Sequence, residues 1–111
     1  MAVIIENSRL IKLLNTLLPT EVIALTFGPV IIFEGQSDPI TVNHESIHCQ
    51  QYMETLYIGF LLIYMYDYLK NRWNGMNATD AYENIRAEKE AYNNEHNNTY
   101  LSTRKRFQWL S

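Results

Sequence analysis

One long segment of the chain lacks any strong helix breaker. Asp38 and Pro39 form a helix-start signal, an N-cap residue followed by proline at the first helical position, and from there to Arg72 only Gly59 weakens the helical propensity. A straight helix over residues 39–72 would be about 50 Å long, which is well beyond the diameter of a compact chain of 111 residues. We therefore expect this segment to bend near Gly59 or to project from the body of the protein.

The residues before this segment predict one helix and a small β-element. A leucine repeat at three- and four-residue spacing predicts a helix over residues 7–18, which Pro19 ends. Residues 21–33 are rich in β-branched and aromatic side chains and are interrupted by Gly28 and Pro29. That pattern predicts two short strands around a turn, or one strand with a break at Gly28 and Pro29.

The residues after the long segment predict two more helices. Asn74 and Gly75 form a stop signal, and the periodicity predicts helices over residues 78–94 and 99–110. The expected fold is α+β and mainly helical, with the small β-element packed on the long helix. We expect residues 1–111 to form a single domain.

Two of the three histidines lie on the long predicted helix in the pattern H-E-x-x-H, as His44, Glu45 and His48. Residues four apart stack on one helical face, so both imidazoles can bind one metal ion. Glu45 lies beside that position, where its carboxylate can take a proton from a metal-bound water. Two imidazoles and one carboxylate are ligands that suit zinc, so we expect one zinc per chain and a third ligand from elsewhere in the sequence.

Composition narrows the classes of partner and compartment. Nine basic and twelve acidic residues give a net charge of −3, which argues against a nucleic-acid partner. We interpret Arg104, Lys105 and Arg106 as cations placed at the end of a helix dipole rather than as a nucleic-acid patch. Cys49 is alone and cannot form an internal disulfide, so we expect a small core residue. No signal-peptide pattern opens the sequence, and we expect a cytoplasmic protein.

The apolar, tyrosine-rich residues 56–68 are the most hydrophobic part of the long segment. The apolar run within them, residues 56–66, is about half of what a bilayer-spanning helix needs, so we do not expect a spanning protein. Such an apolar projection needs cover. The leucine repeat of the first helix and residues 107–110 can provide it within one chain; a homodimer through this helix or contact with a membrane surface are the alternatives.

Residues 81–92 place several carboxylates on the next predicted helix, and with H-E-x-x-H they give the chain a family resemblance. Residues 22–92 resemble the gluzincin metallopeptidases, in which a second helix donates a glutamate to the zinc. Within that clan the chain is similar to the single-domain minigluzincins, to the catalytic cores of the CAAX prenyl protease and HtpX-type proteases, and to short bacterial and phage H-E-x-x-H proteins. The resemblance implies a minimal zincin-like fold.

The resemblance also implies roles for individual residues. It makes His44 and His48 zinc ligands, Glu45 the general base and Glu88 the third ligand, the first residue of a motif that reads E-x-x-A-D in the family. Tyr92 stands where the family has that aspartate, which orients a ligand histidine, and its hydroxyl can accept the imidazole N–H instead.

Several assignments stay open at this point. Glu90 and His96 are the alternatives to Glu88 as third ligand. The candidates for a donor near the metal that stabilises an oxyanion are Tyr92, His96 and Arg86. The plain interpretation of the other acidic residues of this region, Glu83, Glu90 and Glu95, is a solvated helix face.

The family resemblance further implies an edge strand above the metal that binds extended substrate by backbone pairing. Within residues 25–33 the candidates are Leu25, Thr26, Phe27, Val30 and Ile31. The expected function is that of a zinc metallopeptidase acting on a peptide or protein substrate. The alternative is a catalytically silent or latent zincin scaffold that binds a metal, a partner or a membrane.

Overall fold

The computed structural model describes residues 3–17 and 23–111. The predicted end of the first helix, at Leu18 and Pro19, and the predicted start of the strand segment lie outside these residues. The elements, in chain order, are β1 (Val3–Ile5), α1 (Arg9–Leu17), β2 (Ala24–Phe27), β3 (Val30–Phe33), α2 (Pro39–Glu54), α3 (Ile58–Trp73), α4 (Ala78–Glu83), α5 (Arg86–Asn94), α6 (Tyr100–Thr103) and a 3₁₀ turn (Gln108–Leu110). The expected α+β, mainly helical fold is confirmed.

The small sheet has three strands in the order β1-β3-β2. The predicted strand pair is present: β2 and β3 form an antiparallel hairpin, and Gly28, at φ 62°, opens its two-residue turn. The parallel strand β1 was not expected, and it makes β3 the central strand. The prediction that Val30 and Ile31 lie on an edge strand is therefore wrong, whereas Leu25, Thr26 and Phe27 do lie on the edge strand β2.

The long segment is two helices joined by a bend. α2 begins as predicted, with the Asp38 carboxylate accepting from the Thr41 N–H at 2.9 Å. Residues 55–57 separate it from α3, and Leu56 and Tyr57 adopt positive φ values of 56° and 65°. The expected bend near Gly59 is confirmed. A Cβ at Gly59 would lie 2.9 Å from the Thr55 Cβ, so this close turn requires glycine.

α2 lies between two apolar clusters, which is why its side chains are buried on several faces. Towards the sheet it packs in a cluster formed by Ile31, Phe33 and Cys49. Towards the helices it packs in a second cluster formed by Tyr52, Phe60, Ile85, Ala87 and Trp109. The prediction that Cys49 is a small core residue is confirmed. The motif residues His44, Glu45 and His48 are thus buried between the sheet and the helices.

The second half of the chain is more broken than its periodicity predicted. The expected helix over residues 78–94 is two helices, because Ile85 is extended and fully buried while the Asn84 side chain donates to the Asp80 carbonyl. The expected helix over residues 99–110 is only α6 and the 3₁₀ turn, since Arg104 is extended at ψ 144°. The helix-dipole interpretation of Arg104, Lys105 and Arg106 is therefore wrong, because all three lie beyond α6.

The outer side of α3 is an exposed apolar surface, which we call the α3 face. Its seven residues are between 43% and 91% exposed: Ile58, Leu61, Leu62, Met65, Tyr66, Leu69 and Trp73. The expected cover is partial. Trp109 and Leu110 pack with the inner side of α3, but on α1 it is Ile11 that is buried while Leu10 and Leu13 of the leucine repeat are exposed. Within the described residues, no helix combines the length and apolarity needed to cross a membrane.

Candidate metal centre

α2 brings three potential metal ligands together in the interior. His44 and His48 lie one turn apart and are only 6% and 4% exposed, with Glu45 beside them. Ligand atoms of these three residues all lie within 4.8 Å of one another. This buried His-Glu-His group can hold a metal ion.

Glu88 of α5 contacts both imidazoles. Its Oε1 lies 3.1 Å from the Nε2 of His44 and 3.0 Å from the Nε2 of His48, and the residue is 4% exposed. Its other oxygen accepts the Tyr64 hydroxyl at 2.6 Å. The neighbouring Ile85 and Ala87 are fully buried, which anchors the first turn of α5 and directs Glu88 inward.

The two alternatives to Glu88 lie elsewhere. Glu90 is buried, but its carboxylate is bound by Arg104, Tyr100 and Gln51. The His96 side chain is 73% exposed and lies near Glu95. Of the three carboxylate or imidazole candidates, Glu88 is the one that the structure places against both histidines of α2.

Each histidine uses its Nδ1 to bond a side chain outside the group of potential ligands. His44 donates its Nδ1 proton to Glu95 Oε2 at 2.9 Å, and His48 donates its Nδ1 proton to Gln51 Oε1 at 2.7 Å. The Gln51 amide is oriented by its NH₂ group, which donates to the Ala87 carbonyl at 3.1 Å and to Glu90 Oε1 at 2.9 Å. With both Nδ1 atoms engaged, the two Nε2 atoms face Glu88 Oε1, to which a protonated imidazole donates and beside which a deprotonated Nε2 can bind a metal.

This convergence of two imidazoles and two carboxylates attracts positive charge. Burial lowers the pKa of His48, but the negative charges of Glu88 and Glu45 outweigh it and raise the pKa of His48 to about 9. Burial in turn raises the pKa of Glu88, but the His48 charge and the hydrogen bonds of both imidazoles and Tyr64 outweigh it and lower that pKa well below its usual value. A site that holds a proton this strongly has the charge and the donor set, two imidazole nitrogens and one carboxylate, that suit a divalent cation such as zinc.

Glu45 is held on the side of the centre that faces the sheet. Its Oε1 accepts the Thr26 hydroxyl at 3.0 Å, and its Oε2 lies 3.7 Å from the Nε2 of His44. Glu45 is 9% exposed. The carboxylate is thus next to the histidines and fixed in orientation by the edge strand β2.

A cavity of about 780 Å³ opens onto the centre. Glu45, His48 and Glu88 form part of its wall, and β2 forms one side. Much of the remaining wall is aromatic: Tyr52, Phe60, Tyr64, Tyr68, Tyr82 and Tyr92. The cavity is large enough for side chains of a bound molecule to lie against Glu45, His48 and Glu88.

Among the described residues no strand pairs with the outer edge of β2, and this edge borders the cavity. Ile23 accepts a bond from the Glu34 N–H at 2.9 Å, so alternate residues of β2 pair with β3 and the backbone groups of Ala24 and Thr26 point to the other side. The Thr26 carbonyl already accepts the Tyr52 hydroxyl at 3.2 Å. Ala24 and the Thr26 N–H remain at the edge that an extended chain can approach.

The other predicted site residues have different surroundings. Tyr92 packs edge-on against the His44 ring at 4.5 Å, and its hydroxyl lies 3.1 Å from that of Tyr82. The prediction that the Tyr92 hydroxyl accepts an imidazole N–H is wrong, because Glu95 takes that place. The Arg86 guanidinium forms a paired contact with Asp67, with both bonds at 2.9 Å.

Sequence reasoning missed three residues that act on the centre: Gln51, Tyr64 and Glu95. The solvated-face interpretation of Glu90 and Glu95 is wrong, since Glu90 is 6% exposed and Glu95 binds His44. A partial signal was present, because Gln51 is three residues beyond His48 and Glu95 is seven beyond Glu88, which places each on a shared helical face.

Comparison with known proteins finds no matching family model, no matching curated protein and no matching solved structure.

Proposed function

We propose that the protein is a zinc-dependent peptidase that holds one zinc ion through His44, His48 and Glu88. The observation that supports this most is the position of Glu88 Oε1, 3.1 Å and 3.0 Å from the two Nε2 atoms while both Nδ1 atoms are engaged elsewhere. When bound in such a site, zinc supplies a Lewis acid that polarises a carbonyl and makes water acidic near neutral pH.

Glu45 is the proposed general base. Its carboxylate lies next to the His44 Nε2, and the Thr26 hydroxyl fixes one of its oxygens. In this position it takes a proton from the attacking water and returns it to the leaving amine. Thr26 thereby links the proposed base to the strand that borders the cavity.

The proposed substrate is an extended peptide or protein segment. The free backbone groups of Ala24 and Thr26 can pair with it, while the aromatic wall of the cavity receives its side chains. Burial raises the pKa of Tyr82 and of Tyr92, which keeps both hydroxyls protonated and able to donate. We therefore retain Tyr92, with Tyr82, as the candidate donor to an oxyanion. Arg86 is engaged by Asp67 and the His96 side chain is exposed, so neither is retained.

A second candidate function is a zincin scaffold in which the metal only joins α2 to α5. The deep burial of His44, His48 and Glu88 favours this alternative, since structural metal sites are closed to solvent. The two candidates make the same prediction for metal binding and opposite predictions for turnover.

The variant Glu45→Gln distinguishes the peptidase from the scaffold. We expect this variant to retain zinc and to lose cleavage of a diverse peptide library by about 10²–10⁴-fold, because proton transfer is removed while the three ligands stay. Asp80→Asn is the matched control, because Asp80 is an exposed acid outside the wall of this cavity, and the variant should cleave like the wild type. Equal cleavage by wild type and Glu45→Gln rules out Glu45 as base. A zinc-loaded wild type that cleaves nothing supports the scaffold.

A further inference from the structure

A buried ion-pair network lies behind the metal centre, on the side away from the cavity. The Arg104 side chain, 4% exposed, lies between the carboxylates of Glu90 and Glu54, which are 4% and 6% exposed. Its Nε and Nη2 bind Glu90 at 2.7 Å and 2.8 Å, and its Nη1 binds Glu54 at 2.7 Å. Buried ion pairs are weak sources of stability because both partners lose their hydration, so a second role for this network is worth testing.

The network reaches His48 through two side chains. Arg104 holds Glu90, Glu90 Oε1 accepts from the Gln51 NH₂ group at 2.9 Å, and Gln51 Oε1 accepts from His48 Nδ1 at 2.7 Å. The two ends of an amide differ, one donating and the other accepting. Because the donor end of Gln51 is held by Glu90 and the Ala87 carbonyl, its acceptor end must face His48.

We propose that Arg104 is a positioning residue for the metal centre, which acts through Glu90 and Gln51 to keep the proton of His48 on Nδ1. With Nδ1 committed to Gln51, Nε2 is the nitrogen that faces Glu88 and that can bind a metal once its own proton is lost. The inference rests on the proposed zinc ligation by His48 for its consequence, although the Nδ1 hydrogen bond belongs to the metal-free chain. It makes the segment beyond α6 part of the centre, even though Arg104 contacts none of the three proposed ligands.

Zinc affinity, measured by competition with a chelator, tests the proposal in four variants. We expect Arg104→Met and Gln51→Met each to weaken zinc binding by about 10–100-fold, as the loss of a partner that orients a ligand histidine does. We expect the double variant to be no weaker than Gln51→Met alone, because both act on one chain of bonds. Glu54→Gln is the matched control. It removes the other ion pair of Arg104 and leaves the bonds of Glu90, so its zinc affinity should stay within about threefold of the wild type.

A merely structural role for Arg104 predicts a different pattern. In that case Glu54→Gln weakens zinc binding as much as Arg104→Met, or the two losses add in the double variant, and either result overturns the proposal. If Arg104→Met does not fold, Arg104→Lys, which keeps the charge but not the paired geometry, is judged by the same criteria.

The nitrogen spectrum of the His48 ring gives an independent readout. Two-bond ¹H–¹⁵N correlation spectra of the metal-free protein should show a protonated, hydrogen-bonded His48 Nδ1 in the wild type and a shifted Nδ1 resonance in Gln51→Met and Arg104→Met. An unchanged Nδ1 resonance in both variants overturns the proposal. If the wild type binds no zinc but the spectra change as expected, the proposed function fails while the role of Arg104 stands.

Discussion

Each histidine of the centre donates its Nδ1 proton to a different kind of acceptor, a carboxylate for His44 and an amide for His48. Motif spacing identified His44, Glu45 and His48 because four residues of helix fix their relation locally. It did not identify Glu95, whose approach to His44 depends on how α5 packs on α2, or Gln51, whose amide on α2 is oriented by Ala87 and Glu90 of α5. Local periodicity relates residues within one helix, but it does not predict which residues of two helices come into contact.

The partner of His44 is open to a direct test. Glu95→Gln removes the charge behind the imidazole, and we expect zinc affinity to fall by about 10–100-fold because the ligand becomes less basic and less well oriented. Tyr92→Phe is the control, since its hydroxyl bonds to Tyr82 and not to His44. Competition with a chelator measures both. A larger loss in Tyr92→Phe than in Glu95→Gln would restore the original expectation for Tyr92.

At the scale of elements, α2 was predictable at its start and not at its end. Asp38 and Pro39 form a local signal that fixes the first turn. The bend at residues 55–57 places Leu56 and Tyr57 at positive φ, a conformation that neither residue prefers, so tertiary packing imposes it. The strand β1 was missed for a related reason, because it gains its hydrogen bonds from β3, far along the chain.

The cap of the motif helix carries a pH dependence with a defined sign. The Thr41 N–H holds the pKa of Asp38 below its usual value. A lowered folded-state pKa means that the stabilisation is present above the unfolded value, near pH 4, and is lost as the pH falls through the folded value.

Two variants of Asp38 isolate this effect in denaturant unfolding. Asp38→Ala should lower the unfolding free energy by about 1 kcal/mol at pH 7, and this difference from the wild type should shrink below pH 4. Asp38→Asn caps without titrating, so its advantage over Asp38→Ala should stay constant across the same range. A wild-type advantage that persists unchanged at the lowest pH would show that the Asp38 charge contributes nothing.

The α3 face belongs to the scale of the whole molecule. Among the described residues, the cover that the chain supplies to α3 lies on its inner side, and the outer residues remain exposed from Ile58 to Trp73. We expect two copies to pair through this face about a two-fold axis. An antiparallel pairing buries the same apolar residues on both copies and keeps the basic ends, Lys70 and Arg72, at opposite ends of the contact.

Sedimentation equilibrium without detergent tests this pairing. We expect the wild type to form a dimer at micromolar concentrations and Leu62→Glu, at the middle of the face, to be monomeric. Gln36→Glu, at an exposed position in the loop before α2, controls for the added negative charge. A monomeric wild type at high micromolar concentration contradicts the dimer, and binding of that monomer to anionic vesicles would identify a membrane surface as the occupant instead.

Zinc stoichiometry tests the central claim most directly. Native mass spectrometry of zinc-loaded, desalted protein should show one zinc per wild-type chain and no stoichiometric zinc in the variant with both His44→Ala and His48→Ala. His96→Ala should keep full occupancy, because the His96 side chain is 73% exposed and outside the centre. Full zinc occupancy in the double variant, with its fold intact by circular dichroism, would contradict the assignment of His44, His48 and Glu88 as the metal centre.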